Sequence, residues 1–188
     1  MPISPSNQNP LRGFTLIETM VVVAILAILI ALAAPSFTPI IERWRVRQPA
    51  EQLKDTLYLA RSEAIKRSGG VVIQKLPNNT NGCATAPNKD NWDCGWIVCA
   101  DTNNNGVCDA TEAVLQRYDT PANVHVTRSV SIDSIQLNRW GLVAGTWLGF
   151  SLTPRNKGVS DAAALGVCMS SGGRIRIIPQ QDIPCTNS

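Results

Sequence analysis

The chain has 188 residues, enough for one domain of ordinary size with its own core, or for a small domain with an appendage. It carries 17 Lys and Arg against 14 Asp and Glu, a formal charge of +3, which excludes a polyacidic or polybasic disordered tail. The single histidine, His125, leaves few options for metal or acid–base chemistry. Six cysteines indicate an oxidising compartment and hence an exported protein.

An apolar segment dominates the N-terminus. In residues 14–34 the only ionisable side chain is Glu18, and residues 20–34 contain none. As a helix this segment would extend about 31 Å, the thickness of a bilayer core. It therefore predicts a membrane span or a cleaved export signal. Ala31-Leu32-Ala33 resembles a signal peptidase site, whereas the length of the stretch and its carboxylate favour a retained span.

The heptapeptide RGFTLIE, from Arg12 to Glu18, explains that carboxylate. It resembles the processing site of type IV pilins and type II secretion pseudopilins. The resemblance implies a leader of residues 1–13, cleavage by a prepilin peptidase between Gly13 and Phe14, and N-methylation of Phe14. It also implies an assembly role for Glu18, whose anion can neutralise the new N-terminal amine and set the register between neighbouring subunits.

The distribution of basic residues around the apolar segment conflicts with this orientation. Arg12 stands alone before the segment, whereas four basic residues follow it: Arg43, Arg45, Arg47 and Lys54. By the positive-inside rule this pattern places the rest of the chain in the cytoplasm. The leader and the cysteines favour a head domain in the periplasm, and from the sequence the conflict stays open.

Residues 35–69 predict a second, amphipathic half of the helix, which we call the stem. Four apolar residues recur at helical spacing and form one stripe: Leu53, Leu57, Ala60 and Ala64. Pro39 and Pro49 predict bends or local melting, and Gly69-Gly70 predicts the end of the helix. The stripe would pack on the chain's own sheet.

Residues 70–188 predict a β-rich head. Eight short strands are expected, at residues 71–76, 95–100, 113–120, 124–128, 134–140, 146–152, 165–169 and 174–178. Residues 95–118, GWIVCADTNNNGVCDATEAVLQRY, resemble a hairpin typical of the GspH/FimT branch of pilin-like proteins. The resemblance implies an α+β fold of the type IV pilin kind, with the long helix packed on a mostly antiparallel sheet or two-sheet head.

Two further patterns in the head concern metal and cysteine chemistry. Five residues have the spacing of an EF-hand calcium loop, although strands rather than helices flank them: Asp101, Asn103, Asn105, Asp109 and Glu112. A polar β-turn is the alternative, and calcium is the only cofactor that the sequence indicates. For the cysteines, irregular spacing favours disulfides over zinc, and fifteen connectivities are open. We expect Cys83–Cys94 and Cys168–Cys185, which leaves Cys99 and Cys108 to pair.

Charge is divided unevenly within the head. Residues 77–120 carry two basic and six acidic side chains, whereas residues 139–178 carry five basic and one acidic. In the basic part, Gly173-Arg174-Ile175-Arg176 resembles the GRxR motif of FimT-type minor pilins, which implies DNA capture. Arg174 and Arg176 would point to one face of a strand and bind phosphates, with Arg155 and Lys157 extending the track. The alternative is a strand with a solvated outer face.

The sequence as a whole therefore predicts a minor pilin or pseudopilin in which no nucleophile–base pair suggests an enzyme. It would be a single-pass inner-membrane protein with a periplasmic head. Its partners would be other pilins, the prepilin peptidase and double-stranded DNA. The alternatives are a type II secretion tip pseudopilin without a nucleic-acid role and a soluble periplasmic protein released by signal cleavage. We expect Trp92, Trp96, Trp140 and Trp147 to pack in the core or on strands.

Overall fold

The computed structural model describes residues 13–119, 123–143 and 148–186, with the side chains of residues 33–36 excepted. Residues 1–12 of the predicted leader and Trp147 lie outside the described residues. The chain divides into two compact units, one up to Thr38 and one from Pro39 onward.

The first unit consists of the N-terminal part of helix α1, which is assigned over Leu16–Lys66. Its large apolar side chains from Phe14 to Leu32 are exposed. Among the described residues, no single helix is long and apolar enough to cross a membrane. Taken together, the segments Leu16–Leu32 and Phe37–Lys66 are long and apolar enough to do so, by length and composition alone.

The stem stripe is buried in the second unit, as predicted. Six apolar side chains of α1 are completely buried there: Val46, Ala50, Leu53, Leu57, Ala60 and Ala64. The helix continues through Pro39 and Pro49, so the predicted local melting is wrong. At Pro49 the buried neighbours on both sides hold the helix against the head, and the loss of one backbone donor does not interrupt it. Ser68, Gly69 and Gly70 then adopt positive φ and end the helix.

Within the described residues eight strands follow, and every predicted strand is found with small shifts at its ends. They are β1 Val71–Lys75, β2 Gly95–Ala100, β3 Val114–Asp119, β4 Val124–Arg128, β5 Ser134–Leu137, β6 Leu148–Pro154, β7 Leu165–Met169 and β8 Ile175–Pro179. Residues 120, 146 and 147 of the predicted strands lie outside the part of the chain that the structure describes. Short 3-10 helices lie at Thr80–Gly82 and Gln180–Asp182. The strands form two antiparallel sheets, in the orders β3-β2-β1-β5 and β4-β6-β7-β8. The α+β, two-sheet prediction is confirmed.

One hydrophobic core joins the stem to both sheets. Trp92 packs edge-on against Phe150 of β6, with ring centroids 5.1 Å apart. Trp96 of β2 is also completely buried, and its indole N–H donates to Thr56 Oγ1 of α1 at 3.0 Å. Sequence reasoning placed these two tryptophans correctly. Since the ring nitrogen of Trp96 has its partner on the helix, this hydrogen bond fixes the stem against the first sheet.

Candidate functional site

The start of α1 is capped by residues of the predicted processing motif. Thr15 precedes the first helical residue and acts as N-cap, because its Oγ1 accepts the backbone N–H of Glu18 at 3.3 Å. The pair has the Thr-x-x-Glu spacing of a capping box. Gly13 and Phe14 lie before the helix and are exposed. The predicted cleavage bond therefore lies in accessible, non-helical chain.

The Glu18 carboxylate lies in the first turn of α1 and is exposed. A negative charge in this position is favourable next to the helix N-terminus. Within residues 13–119, 123–143 and 148–186, no Lys, Arg or His forms an ion pair with it. The carboxylate thus remains available for the assembly role that the sequence predicts.

The five candidate calcium ligands lie together in the loop between β2 and β3, where they already accept hydrogen bonds. The buried Asp101 carboxylate accepts the backbone N–H groups of Asn105 at 3.1 Å and Gly106 at 3.0 Å. The Asp109 carboxylate accepts the Nδ2 groups of Asn103 at 2.8 Å and Asn105 at 2.7 Å. These bonds turn amide nitrogens, which cannot ligate a cation, towards the centre of the carboxylate cluster.

Glu112 closes the same loop. Its carboxylate accepts the backbone N–H of Thr102 at 2.7 Å and of Asp109 at 3.0 Å. These two hydrogen bonds hold the pKa of the Glu112 carboxyl below its ordinary value of 4.5, and the bond from Asp109 has the larger effect. The described residues contain no group of three or more Asp, Glu, His or Cys side chains arranged to hold a metal ion. Calcium binding stays a prediction, and the hydrogen bonds within the loop favour its alternative, a polar turn.

Three disulfides join the cysteines as the sequence predicts. The pairs are Cys83–Cys94, Cys99–Cys108 and Cys168–Cys185. The second pair links strand β2 to the acidic loop. The third pair joins β7 to the segment that follows β8. It holds this segment over the outer face of the second sheet. Disulfide chemistry therefore constrains both of the segments in which candidate site residues lie.

The GRxR residues lie where the last turn meets strand β8: Gly173 and Arg174 precede the strand, and Ile175 and Arg176 begin it. A turn of residues 170–173 joins β7 to β8, and the Gly173 N–H donates to the Ser170 carbonyl at 2.8 Å. Ile175 and Ile177 face the hydrophobic core, so Arg174 and Arg176 lie on the opposite face, as predicted. Arg174 is exposed. Arg176 is half-buried and lines a groove of about 510 Å³ with Asp182 and Thr186.

Sequence reasoning missed Arg61, which positions this hairpin from the stem. Its Nε donates to the Gly141 carbonyl at 3.0 Å, and its Nη1 donates to the Gly173 carbonyl. One guanidinium thus holds the turn after β5 and the turn before β8 side by side. The side chain of Leu142 also reaches Gly173, where an added Cβ would lie 2.9 Å from its Cδ2. Because Arg61 follows the buried Leu57 by four residues, its helical spacing could have indicated a core-facing role.

Trp140 lies in the first of these turns, and its predicted burial is wrong. Strand β5 ends at Leu137 because the Asn138 side chain accepts the N–H groups of Trp140 at 2.9 Å and Leu142 at 3.1 Å, which builds a turn instead of a longer strand. Trp140 is 59% exposed. The guanidinium carbon of Arg139 lies 5.1 Å from the centre of its ring.

Arg155 and Lys157 are not brought together with Arg174. Strand β8 starts level with Leu148, the first residue of β6, whereas Arg155 follows the last. At a rise of about 3.4 Å per residue, the run from Leu148 to Arg155 covers about 24 Å. The predicted continuous track of four cations is therefore wrong, because β6 and β8 run in the same direction and the two pairs lie at opposite ends of the sheet.

Local contacts also occupy this second pair of cations. Lys157 Nζ lies 2.6 Å from Glu42 Oε2 and 3.2 Å from Asp161 Oδ2. The hydrogen bond to Glu42, then that to Asp161, raises the pKa of the Lys157 ammonium above its ordinary value. Arg155 Nη2 donates to Thr85 Oγ1 at 3.4 Å. Lys157 thus connects the end of β6 to the stem, and Arg155 connects it to another part of the head.

Two protein-family models match the chain. The model described as type II transport protein GspH matches residues 50–173. The model described as the prokaryotic N-terminal methylation motif matches residues 11–34, which include Gly13, Phe14 and Glu18. The two matched regions cover the apolar N-terminal segment, residues 50–69 of the stem and most of the head.

Solved structures with the same fold come from a pilus protein. Crystal structures of the type IV minor pilin FimU of Pseudomonas aeruginosa, in two crystal forms, superpose with TM-scores of 0.57 and 0.54. Both are 21% identical to this chain. They cover 78% and 76% of this chain, and 98% and 99% of their own length. At this identity the comparison establishes the fold.

Proposed function

Because the chain belongs to the GspH family of pilins and pseudopilins, we propose that it is a minor pilin of a type IV pilus that captures DNA through its last hairpin. In this proposal a prepilin peptidase removes residues 1–13, and the α1 segment up to residue 34 anchors the mature chain in the inner membrane and packs against other pilins. The head lies in the periplasm before assembly. The similarity of fold to a type IV minor pilin supports the choice of a pilus.

The observation that carries the DNA-binding proposal is the alternation of residues at the start of β8. Ile175 and Ile177 pack in the core, and this leaves Arg174 and Arg176 on the outer face. Residues two apart on a strand lie about 7 Å apart, which is close to the spacing of consecutive phosphates along a nucleic-acid strand. Two guanidinium groups at this spacing can each bind a phosphate without reading the base sequence.

The position of the hairpin supports the same role. The turns of residues 138–142 and 170–174 contain two arginines and no acidic residue. Among the described residues, no carboxylate forms an ion pair with Arg174. At Arg174 a polyanion would therefore displace water rather than an internal carboxylate.

Duplex binding across a salt series tests the proposal. We expect the full mature chain in detergent to bind a random-sequence duplex with an affinity that falls steeply with salt. The variant Arg174→Gln/Arg176→Gln should bind more weakly, and the slope of log K against log salt should become shallower by about 2, because each phosphate contact contributes about 0.9.

Arg155→Gln/Lys157→Gln is the matched control. It removes the same number of charges about 24 Å away along the sheet. We expect it to leave the slope and the affinity at moderate salt close to those of the unmodified chain. If both double variants change duplex binding equally, the effect is one of net charge and the proposed site is wrong. Unchanged binding after Arg174→Gln/Arg176→Gln would also refute it.

A tip pseudopilin of a type II secretion system is the second candidate, and the description of the matching family model favours it. DNA uptake by intact cells separates the two. Deletion of the gene should abolish uptake of labelled DNA for a pilus protein, with restoration by the unmodified gene but not by Arg174→Gln/Arg176→Gln. Loss of protein secretion with normal DNA uptake would establish the second candidate instead.

N-terminal sequencing tests the proposed processing. A mature chain that starts at N-methylated Phe14 is the expected result. A chain that starts after Ala33 would show release by an ordinary signal peptidase and would exclude incorporation through α1. Gly13→Val should leave the precursor uncleaved, because the added side chain lies next to the peptide bond that the peptidase must cleave.

A further inference from the structure

The tip of the head carries an exposed aromatic ring beside the proposed phosphate site. Arg139 and Trp140 in the turn after β5, together with Arg174 in the turn before β8, are named the tip cluster. Trp140 is 59% exposed, whereas Trp92 and Trp96 are completely buried. The indole of Trp140 is therefore open to a ligand, unlike the indoles of the two core tryptophans.

The turn that carries Trp140 is rigid. The Asn138 side chain accepts two backbone N–H groups of the turn, and the Gly141 N–H donates to the Asn138 carbonyl at 2.8 Å. Gly141 has a φ of +68° and lies against the stem, where an added Cβ would be 3.0 Å from the Arg61 carbonyl. The backbone that carries the aromatic ring is therefore ordered before any ligand arrives, which reduces the entropy lost on binding.

Trp140 and Arg174 are close enough to contact one ligand. The carbonyl groups of Gly141 and Gly173 accept hydrogen bonds from the same guanidinium of Arg61. Trp140 precedes Gly141 and Arg174 follows Gly173, so their Cα atoms lie within about 15 Å of each other by standard backbone dimensions. A few nucleotides of a single strand span that distance.

From this arrangement we infer that the tip cluster binds unpaired nucleotides of single-stranded DNA, with a base stacked on Trp140 and the neighbouring phosphates on Arg139 and Arg174. The inference rests on the proposed DNA-binding function and deepens it. An aromatic ring flanked by cations is the combination by which proteins hold single strands without sequence preference. Bases inside a duplex are stacked on each other, so their faces cannot reach a ring on a protein turn.

Charge and chemistry favour this occupant over a protein partner. The two turns contain Arg139 and Arg174 and no acid. Arg139 lies over one face of the Trp140 ring and leaves much of the side chain open. A stacked base would complete a sandwich of guanidinium, indole and base, in which each layer is planar.

Fluorescence anisotropy with labelled oligonucleotides tests the inference on the full mature chain in detergent. The probes are a 15-nucleotide oligo(dT) and a duplex of the same length. We expect Trp140→Ala to weaken binding of oligo(dT) by at least about tenfold, as is typical for the loss of one stacked base, and to change duplex binding by less than about twofold. Trp140→Phe should retain most of the affinity for oligo(dT).

Phe37→Ala is the matched control, because Phe37 is an exposed aromatic residue of the stem with no basic residue within four positions. It should change neither affinity. Equal affinity of Trp140→Ala and the unmodified chain for oligo(dT) would overturn the inference while leaving duplex binding, and hence the proposed function, intact. Equal weakening for both probes would also overturn it. An unmodified chain that binds neither probe would overturn the proposed function and this inference together.

Discussion

The contact between Gly173 and Arg61 makes a sharp prediction about stability. Gly173 has a φ of +82°, in the left-handed region, and a Cβ added to it would lie 2.5 Å from Arg61 Nη2 and 2.7 Å from its guanidinium carbon. Gly173→Ala must therefore adopt a strained backbone and also displace the guanidinium that holds both turns. The matched control is Gly172→Ala, because the neighbouring glycine has no positive φ and a Cβ added there would approach Ser170 Oγ no closer than 3.9 Å.

The expected magnitude follows from the two effects. A left-handed backbone costs a residue other than glycine about 1–2 kcal/mol. Weakening hydrogen bonds from a charged group costs about 1.5–3 kcal/mol more. We expect Gly173→Ala to lower the free energy of unfolding by about 3 kcal/mol, which for a domain of this size lowers Tm by about 6–12 °C. Gly172→Ala should change the free energy by about 0.5 kcal/mol or less.

Thermal unfolding of the full mature chain in detergent, followed by near-ultraviolet circular dichroism, measures both variants. A double-mutant cycle with Arg61→Ala then separates strain from displacement. In the Arg61→Ala background, Gly173→Ala should cost only the strain, about 1–2 kcal/mol. An equal effect of the two glycine variants would refute the reasoning, and so would a cost of Gly173→Ala that does not change when Arg61 is absent.

Three other predictions concern the acidic loop and the last disulfide. Glu112→Gln should lower Tm near pH 7, and the difference in Tm from the unmodified chain should shrink as the pH falls below 4.5. The reason is that a carboxyl whose pKa is lowered by folding stabilises the fold only at a pH where the carboxyl of the unfolded chain is ionised. Calcium at millimolar concentration should leave Tm unchanged, because the loop oxygens already accept hydrogen bonds from Thr102, Asp109 and their neighbours. A rise in Tm with calcium but not with magnesium would contradict this expectation. Replacing both Cys168 and Cys185 by Ala should lower the free energy of unfolding by about 3 kcal/mol, the value expected for a loop of this length. Denaturant titration measures this change, and an unchanged midpoint would contradict the prediction.

Local patterns predict the strands better than the cysteine pairs. Each strand is a short run of β-branched or apolar residues between turn residues, and this information lies within the strand itself. All three disulfides join cysteines taken in order along the chain, although Cys94 and Cys99, the closest pair in sequence, do not bond to each other. The strands depend on residues close in sequence, which is why sequence patterns predict them, whereas the cysteine pairing remained one choice among fifteen.

The errors concern residues whose surroundings come from distant parts of the chain. Arg61 contacts Gly141 and Gly173, which lie 80 and 112 residues further along. The sequence predicts Trp140 on a strand, although Asn138 and Gly141 carry a turn signal that ends β5 three residues earlier. Hydrophobic character alone favours burial for Trp140, and only the turn chemistry could have indicated exposure.

The misplaced track of cations has a topological cause. Strands β6, β7 and β8 form a meander, so β6 and β8 run in the same direction. A residue that follows β6, such as Arg155, must then lie at the opposite end of the strands from a residue that precedes β8, such as Arg174. Short connections between successive strands favour such a meander, and this reasoning from the sequence alone would have separated the two pairs of cations.

The uneven charge of the head has a different meaning in its two halves. In the acidic half the carboxylates serve the fold: Asp101 and Glu112 accept backbone N–H groups of their own loop, and the buried Asp93 accepts the N–H of Val126 at 2.7 Å. In the basic half, Arg139 and Arg174 lie on turns without an acidic residue.

The formal charge of +3 therefore understates how basic the tip cluster is towards an approaching polyanion, because most of the acidic residues lie in other parts of the chain. It follows that substitutions in the two halves should differ in kind. Removing a carboxylate of the acidic loop should destabilise the head, whereas removing Arg174 should weaken anion binding without a comparable loss of stability.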